Sequence, residues 1–484
     1  MRQRVLSFKV EWVDRPETCT AHAGLLLFVE LCIATIPARR LKALRDALGY
    51  KSVKPVRRHL FTILALIASG GEHLSDVETL RGDPGFAALS GMTPSCATQL
   101  KTFLYAFHQS EDGSHLTPEE DSRLSRQGKA QIRPEGPGLQ ALNMLSQSVT
   151  RIIWQEAKRP SRATLDVDAS IIESHKRQAL WSYKGVRGYQ PQMAWWAELG
   201  IWLADQFRDG NVPAEFDAVA FLRRSFERLP REVTDRRLRA DSAFYNEEAL
   251  SWADEQGISF AVSADMSQAL EAAVQGVPES CWQPYRGWRD EQECQEERQW
   301  AEVADFVPGW ARNRKKHGQP FRYIAIRVRS RQRELFPDDS GGWRHFAVVT
   351  NMDWQGERLL RWHREKQGTV EFGHSVVKND LGGGVLPAGR FGANAAWWRM
   401  NLLTHNLLVL LRNGALPERL STARPKGLRF HLFHMAARVV RHARSWVLKL
   451  WRSHPMAGPF VRARQWIAWL HGEVRANPPM LGTG

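Results

Sequence analysis

Ala163-Thr-Leu-Asp-Val-Asp-Ala-Ser-Ile-Ile-Glu-Ser174 is the stretch whose reading decides the fold. Leu165, Val167 and the Ile171–Ile172 pair alternate around Asp166 and Asp168, the pattern of a short buried strand that carries a carboxylate to its end. Arg236-Arg-Leu-Arg-Ala-Asp-Ser-Ala-Phe-Tyr245 closes the same way, on Asp241. A third acid, Glu371, sits in Thr369-Val-Glu-Phe-Gly-His-Ser-Val-Val-Lys378, where Val370, His374, Val377 and Lys378 recur at helical spacing. Working outward from these three stretches gives two strand-end aspartates and one helix-borne glutamate, which together can converge on divalent cations.

Displacement at a phosphodiester must stabilise both the attacking and the leaving oxygen, and two metal ions roughly 3.5–4 Å apart do so. Mg²⁺ prefers hard oxygen ligands and keeps several waters, so a few carboxylates suffice. Clustered carboxylates raise one another's pKa, and bound cations are what keep them ionised. An Asp at a strand end is also a common turn or cap residue, so each acid taken alone is weak. Asp166 competes with Asp168, because two residues apart on a strand they point to the same face. The small and hydroxyl residues that follow favour Asp168.

The order of the blocks resembles that of bacterial insertion-sequence DDE transposases. Asp168-Ala-Ser170 is similar to the block with the first acid. Tyr183-Lys-Gly-x-x-Gly-Tyr-Gln-Pro191 and Ala194-Trp-Trp-Ala-Glu198 resemble the block after it in the group-1 members. Arg239-Ala-Asp-Ser-Ala-Phe244 resembles the second-acid block. Glu371-x6-Lys378 matches half of a Y-x2-R-x3-E-x6-K signature, and Gly392-Ala-Asn-Ala-Ala-Trp-Trp398 with Asn401-Leu-Leu-Thr-His-Asn406 resembles the helices beyond. The signature's Tyr and Arg positions hold Arg364 and Gln367, with His363 and Lys366 close by.

The resemblance implies a ribonuclease H-like mixed sheet with flanking helices. It also implies a transposase in which Asp168, Asp241 and Glu371 are catalytic and bind two Mg²⁺, with Mn²⁺ able to substitute. Lys378 and Arg364 are then phosphate contacts. The implied partner is double-stranded DNA, both terminal inverted repeats and target, held by a homodimer in the cytoplasm, at the bacterial nucleoid, with no membrane. The alternative is a domesticated relative that binds DNA without cutting it.

The chain has 484 residues, 43% hydrophobic and 25% charged, enough for about three domains with an ordinary soluble core. A net charge of +15 favours a polyanionic partner. From Asn401 onward there are thirteen Lys/Arg against two Asp/Glu. Five scattered cysteines without a C-x-x-C fit a reducing compartment and offer no zinc site.

Residues 1–150 read as a separate helical region, suited to DNA ends or equally a small structural bundle, with a linker candidate inside it at 109–138. The catalytic domain takes 160–264 and 361–415. The 73 residues between Asp168 and Asp241 against 130 between Asp241 and Glu371 imply a β-rich insertion at 265–360. In it Phe321–Arg329 reads as a half-exposed basic strand, and Trp282, Trp288, Trp300 and Trp310 as core. Residues 416–484 read as a basic helical region. There Leu428–Trp451 is predicted helical, with Arg438, Arg441, Arg444 and Lys449 as a phosphate-binding stripe.

Overall fold

The structure, a computed structural model, describes residues 19–285, 296–304, 306–310, 321–330 and 342–476. Strand β1 (Cys19–Thr20) leads into helices α1 (Leu25–Thr35), α2 (Ala38–Ala47), α3 (Val53–Ser69), α4 (Val77–Arg81), α5 (Pro84–Ser90), α6 (Ala97–Tyr105), α7 (Pro118–Leu124) and α8 (Pro137–Glu156). Strands β2 (Arg162–Ala169), β3 (Ile172–Glu173), β4 (Leu180–Trp181), β5 (Arg187–Tyr189), β6 (Gln192–Trp196) and β7 (Ile201–Gln206) follow. Then come α9 (Ala218–Glu227), β8 (Asp235–Ala240), α10 (Glu247–Glu255), β9 (Ser259–Ala264) and α11 (Gln268–Gln275). The next stretch gives β10 (Gln283–Pro284), β11 (Glu296–Val303), β12 (Arg322–Ser330) and β13 (Trp343–Thr350). Last are α12 (Gly356–Arg364), α13 (Lys366–Asp380), α14 (Phe391–Ala415), α15 (Pro425–Leu428), β14 (Ala437–His442), β15 (Ser445–Lys449) and α16 (Ala457–Ala476).

The described strands form a large mixed sheet in the order β10-β11-β12-β13-β9-β8-β2-β6-β7. β8 runs parallel to both β2 and β9, and the other pairings are antiparallel. A parallel pair needs a crossover, and α9 and α10 supply helical ones. The insertion is therefore not a separate body, because β10 to β13 extend the large sheet from β9 outward. Its basic strand is also less open than expected: Arg327 is buried, its guanidinium 4.4 Å from the ring centres of both Trp282 and Trp343. Trp300 fills a small core with Ile324, Val348, Leu359 and Leu360 under α12, as its core reading requires. Trp288 lies outside the described residues.

Alternation sorts β2 into two faces. Ala163, Leu165 and Val167 join the main core with Leu238 and Ala240 of β8, while Thr164, Asp166 and Asp168 face α12 and α13. That core is continuous from Ala23 to Leu470. α14 is its axis, packing against α8, α3, α6 and α16, so the N-terminal helices are not the separate domain that was expected. Residues 109–138 are no slack linker either. They contain α7, and Glu135 and Asp205 both pair with the buried Arg399 of α14, at 2.6 Å and 2.9 Å. Asn406 finishes the tie by bonding both the N–H (2.9 Å) and the C=O (2.7 Å) of Trp202 on the edge strand β7. Those two backbone groups would otherwise be buried without partners.

The predicted helix over Leu428–Trp451 is not there. A short α15 gives way to the hairpin β14–β15, which β1 extends. β-Branched Val439, Val440 and Val447 suit strands, and the tight turn places Ala443 and Arg444 at positive φ (42° and 69°), the geometry a two-residue hairpin needs. The four basic residues consequently do not share a helix face. Arg438 pairs across the hairpin with Lys449, and Arg441 with Trp446.

Candidate active site

Register along the β2–β8 pair builds the site. Arg162 lies opposite Asp235, Thr164 opposite Arg237 and Asp166 opposite Arg239; Val167 and Ala240 close the ladder. Asp168 and Asp241 therefore stand side by side just past its end, at the carboxyl ends of two neighbouring parallel strands. Crevices outside such ends are where open α/β sheets place their ligands.

Asp166 is spoken for. Fully buried, it takes a two-pronged ion pair from Arg239 (Nε–Oδ1 2.6 Å, Nη2–Oδ2 3.0 Å) and a further hydrogen bond from the Thr369 hydroxyl. Arg239 in turn bonds Glu365 and the Trp362 carbonyl, fastening the α12–α13 junction to the sheet. Asp168 has no such lock: its Oδ1 accepts from the Ala169 N–H at 2.9 Å and its side chain is part-exposed. Asp241 caps the turn Ser242–Phe244 through the Ala243 N–H at 3.2 Å. Burial and the touching Asp168 carboxyl raise the Asp241 pKa above the ordinary carboxylate range, against the pull of Lys366.

α13 brings the third acid. Gly373 lets the helix lie directly on the sheet, since a Cβ there would come within 2.8 Å of the Trp195 and Trp202 rings. Lys366, Val370, His374 and Lys378 form its sheet-facing stripe, one turn apart, and Glu371 stands at its exposed edge. Glu371 is also raised, by partial burial and by Asp168, with Lys366 opposing. Asp168, Asp241 and Glu371 thus share one electrostatic neighbourhood, although among the described residues no three acids, histidines or cysteines close into a ready-made metal cage. Hard oxygen donors on two adjacent strand ends fit a divalent cation that keeps much of its water.

Two residues not foreseen as part of the site stand within it. Lys366 Nζ is 4.0 Å from Asp168 Oδ1, and His374 Nε2 is 3.6 Å from Asp168 Oδ2. The His374 ring is buried beside Trp202 with neither nitrogen hydrogen-bonded, and burial pushes its pKa down to about 3, so it is neutral. The helical stripe through Val370 held the signal for both.

The four residues expected as phosphate contacts lie in separate places. Lys378 Nζ donates to the Ile171 carbonyl at 2.6 Å, three residues past Asp168. Arg364 lies against the Tyr285 phenol, and Gln367 faces solvent. Arg438 and Arg441 are exposed on the hairpin.

The mixed sheet thus brings two strand-end aspartates and a helix-borne glutamate into one neighbourhood. The chain belongs to the transposase DDE domain group 1 family, whose match runs over residues 4–471. It is a transposase, and this family generally uses divalent metal ions. Among solved structures it is similar to the cryo-EM structure of the piggyBac transposase synaptic complex with hairpin DNA. The TM-score there is 0.44 and the identity 9%, over 96% of this chain and 87% of that chain. No curated protein matches the sequence.

Proposed function

We propose that this transposase cuts DNA at the ends of a mobile element and joins them to target DNA through a ribonuclease H-like site. Asp168, Asp241 and Glu371 would be the ligands of two Mg²⁺. The observation that carries this reading is the β2–β8 register, which sets Asp168 beside Asp241 one step beyond a ladder whose preceding acid is already paired with Arg239. Bound divalent ions supply activation of the attacking oxygen and support for the leaving oxygen. The chain's own part is to hold the two aspartates on fixed strand ends, to hold Glu371 on a helix packed against tryptophan rings, and to tie the junction below them through Arg239.

Contact with the polyanion is supported by the net charge of +15; a cleft of about 630 Å³ on the same sheet face is lined by Arg162, Arg237, Arg358 and Arg361 together with Glu198, Glu357 and Glu365. Arg438 and Arg441 on the exposed hairpin, with Lys378 and Arg364, are further candidates for phosphate contact. Pairing of two DNA ends would call for a homodimer. None of the described helices is long and apolar enough to cross a membrane, and action on DNA in the cytoplasm fits the reading.

Cleavage of a labelled plasmid carrying the element ends, in Mg²⁺, tests the proposal with Asp168→Asn, Asp241→Asn and Glu371→Gln alongside the wild type. Cutting by the wild type and loss of cutting in all three, with DNA binding retained, is the expected result. A wild type that binds but never cuts would instead fit the domesticated DNA-binding relative.

A further inference from the structure

Lys366 opens α13, and its ammonium is buried within the acid cluster, although the two residues after it, Gln367 and Gly368, face solvent. Lysine is rarely buried unless paired, and the partner here is Asp168, 4.0 Å away. The same charge reaches Asp241 and Glu371, where it opposes the effect of burial on each. Arg239 cannot serve the cluster, because Asp166 and Glu365 already engage its guanidinium. Lys378 donates to the Ile171 carbonyl, and its charge reaches Asp168 alone of the three acids. Lys366 is thus the ammonium that bears on all three carboxylates.

We propose that Lys366 is a resident cation of this cluster: a positioning residue that holds Asp168, Asp241 and Glu371 together and sets how much divalent metal the site requires. The inference rests on the metal-site reading above. A divalent ion drawn to the same carboxylates meets a positive charge already among them. A lysine is a point charge on a flexible four-carbon stem and can swing aside without the loss of a bidentate pair. The site thus loads metal only above a threshold that Lys366 sets. Without this charge the carboxylates repel one another more strongly and take up metal more readily.

The test is the melting temperature of the full chain titrated with Mg²⁺ and, separately, Ca²⁺, for wild type, Lys366→Met, Lys366→Gln and Lys366→Arg. Lys366→Met and Lys366→Gln should reach half their metal-induced rise at about tenfold lower concentration, an ordinary coupling between ligands that share a site. Their total rise should be larger, and Lys366→Arg, which keeps the charge but can grip a carboxylate with two N–H groups, should need as much metal as wild type or more. Folding of Lys366→Met only when metal is present counts in favour. A half-saturating concentration for Lys366→Gln equal to or above that of wild type overturns the proposal, as does Lys366→Arg shifting as far as Lys366→Gln. The metal reading itself fails on a separate arm, an Asp168→Asn titration indistinguishable from wild type.

Discussion

Asp166 and Asp168 sit on one strand, point to one face and have neighbours at matching positions on β8, yet they have opposite characters. Across from Asp166 stands Arg239, and Thr369 reaches down from α13, so that carboxylate is sealed in an ion pair, although burial outweighs these partners and raises its pKa. Beside Asp168 stands a second acid, with Lys366 and neutral His374 at longer range. A buried pair with good geometry fixes the framework, whereas an under-compensated pair is a place for a ligand. The change from one to the other takes a single step of the β repeat.

The largest effect should come from separating the two rows. Asp168→Asn is expected to lower strand cleavage by a thousandfold or more, on the order of a removed catalytic group, while leaving thermal unfolding unchanged or slightly improved because one repulsion disappears. Asp166→Ala should do the reverse first, costing about 3–5 kcal/mol by stranding Arg239. An Asp166→Ala protein that melts like wild type would erase the distinction between the rows.

The double change Asp166→Leu with Arg239→Met sharpens it. Replacing a buried pair by apolar groups is often neutral, so chemical denaturation should show most of the single-variant loss recovered. If the double variant is as unstable as Asp166→Ala, the pair holds the α12–α13 junction by its specific bonds to Glu365 and Trp362.

A smaller effect is expected from Gly373→Ala. Its methyl would meet two tryptophan rings, an overpacking that costs about 1–3 kcal/mol and lifts Glu371 from its place. Cutting should fall further than stability alone explains, measured as rate per folded molecule. Equal falls in the two would mean that α13 position does not govern Glu371.

The smallest is a pH effect at Asp209, another buried carboxylate. The Ser125 hydroxyl donates to it and Arg133 lies near, but burial outweighs both and raises its pKa to about 6. The folded state therefore binds this proton more tightly than the unfolded chain. The stability it contributes is complete below the ordinary Asp value of about 4 and is lost as pH rises through 6, by at most about 3 kcal/mol. Asp209→Asn should flatten that part of the profile relative to wild type between pH 4 and 7. An unchanged difference across that range would show that burial does not govern this carboxyl.

Much of this was legible locally. Alternation in Ala163–Ala169 gave a strand with its acids on one face, the stripe through Val370, His374 and Lys378 gave α13, and Phe321–Arg329 gave a strand. Those patterns are set by the repeats of two and 3.6 residues, which neighbouring residues alone impose. Leu428–Trp451 misled because arginines at intervals of three mimic a helix face, while the hairpin was signalled only by Val439, Val440 and Val447.

The sequence by itself determined which residues could share a face and that the chain would carry acids to strand ends. Only the tertiary structure decided that Arg239 answers Asp166, that Lys366 joins the cluster, and that Lys378 is held on a carbonyl. Each of these depends on what stands opposite across a parallel pairing 73 residues apart or on where α13 lands on the sheet. Burial then makes every such partnership, or its absence, energetically large.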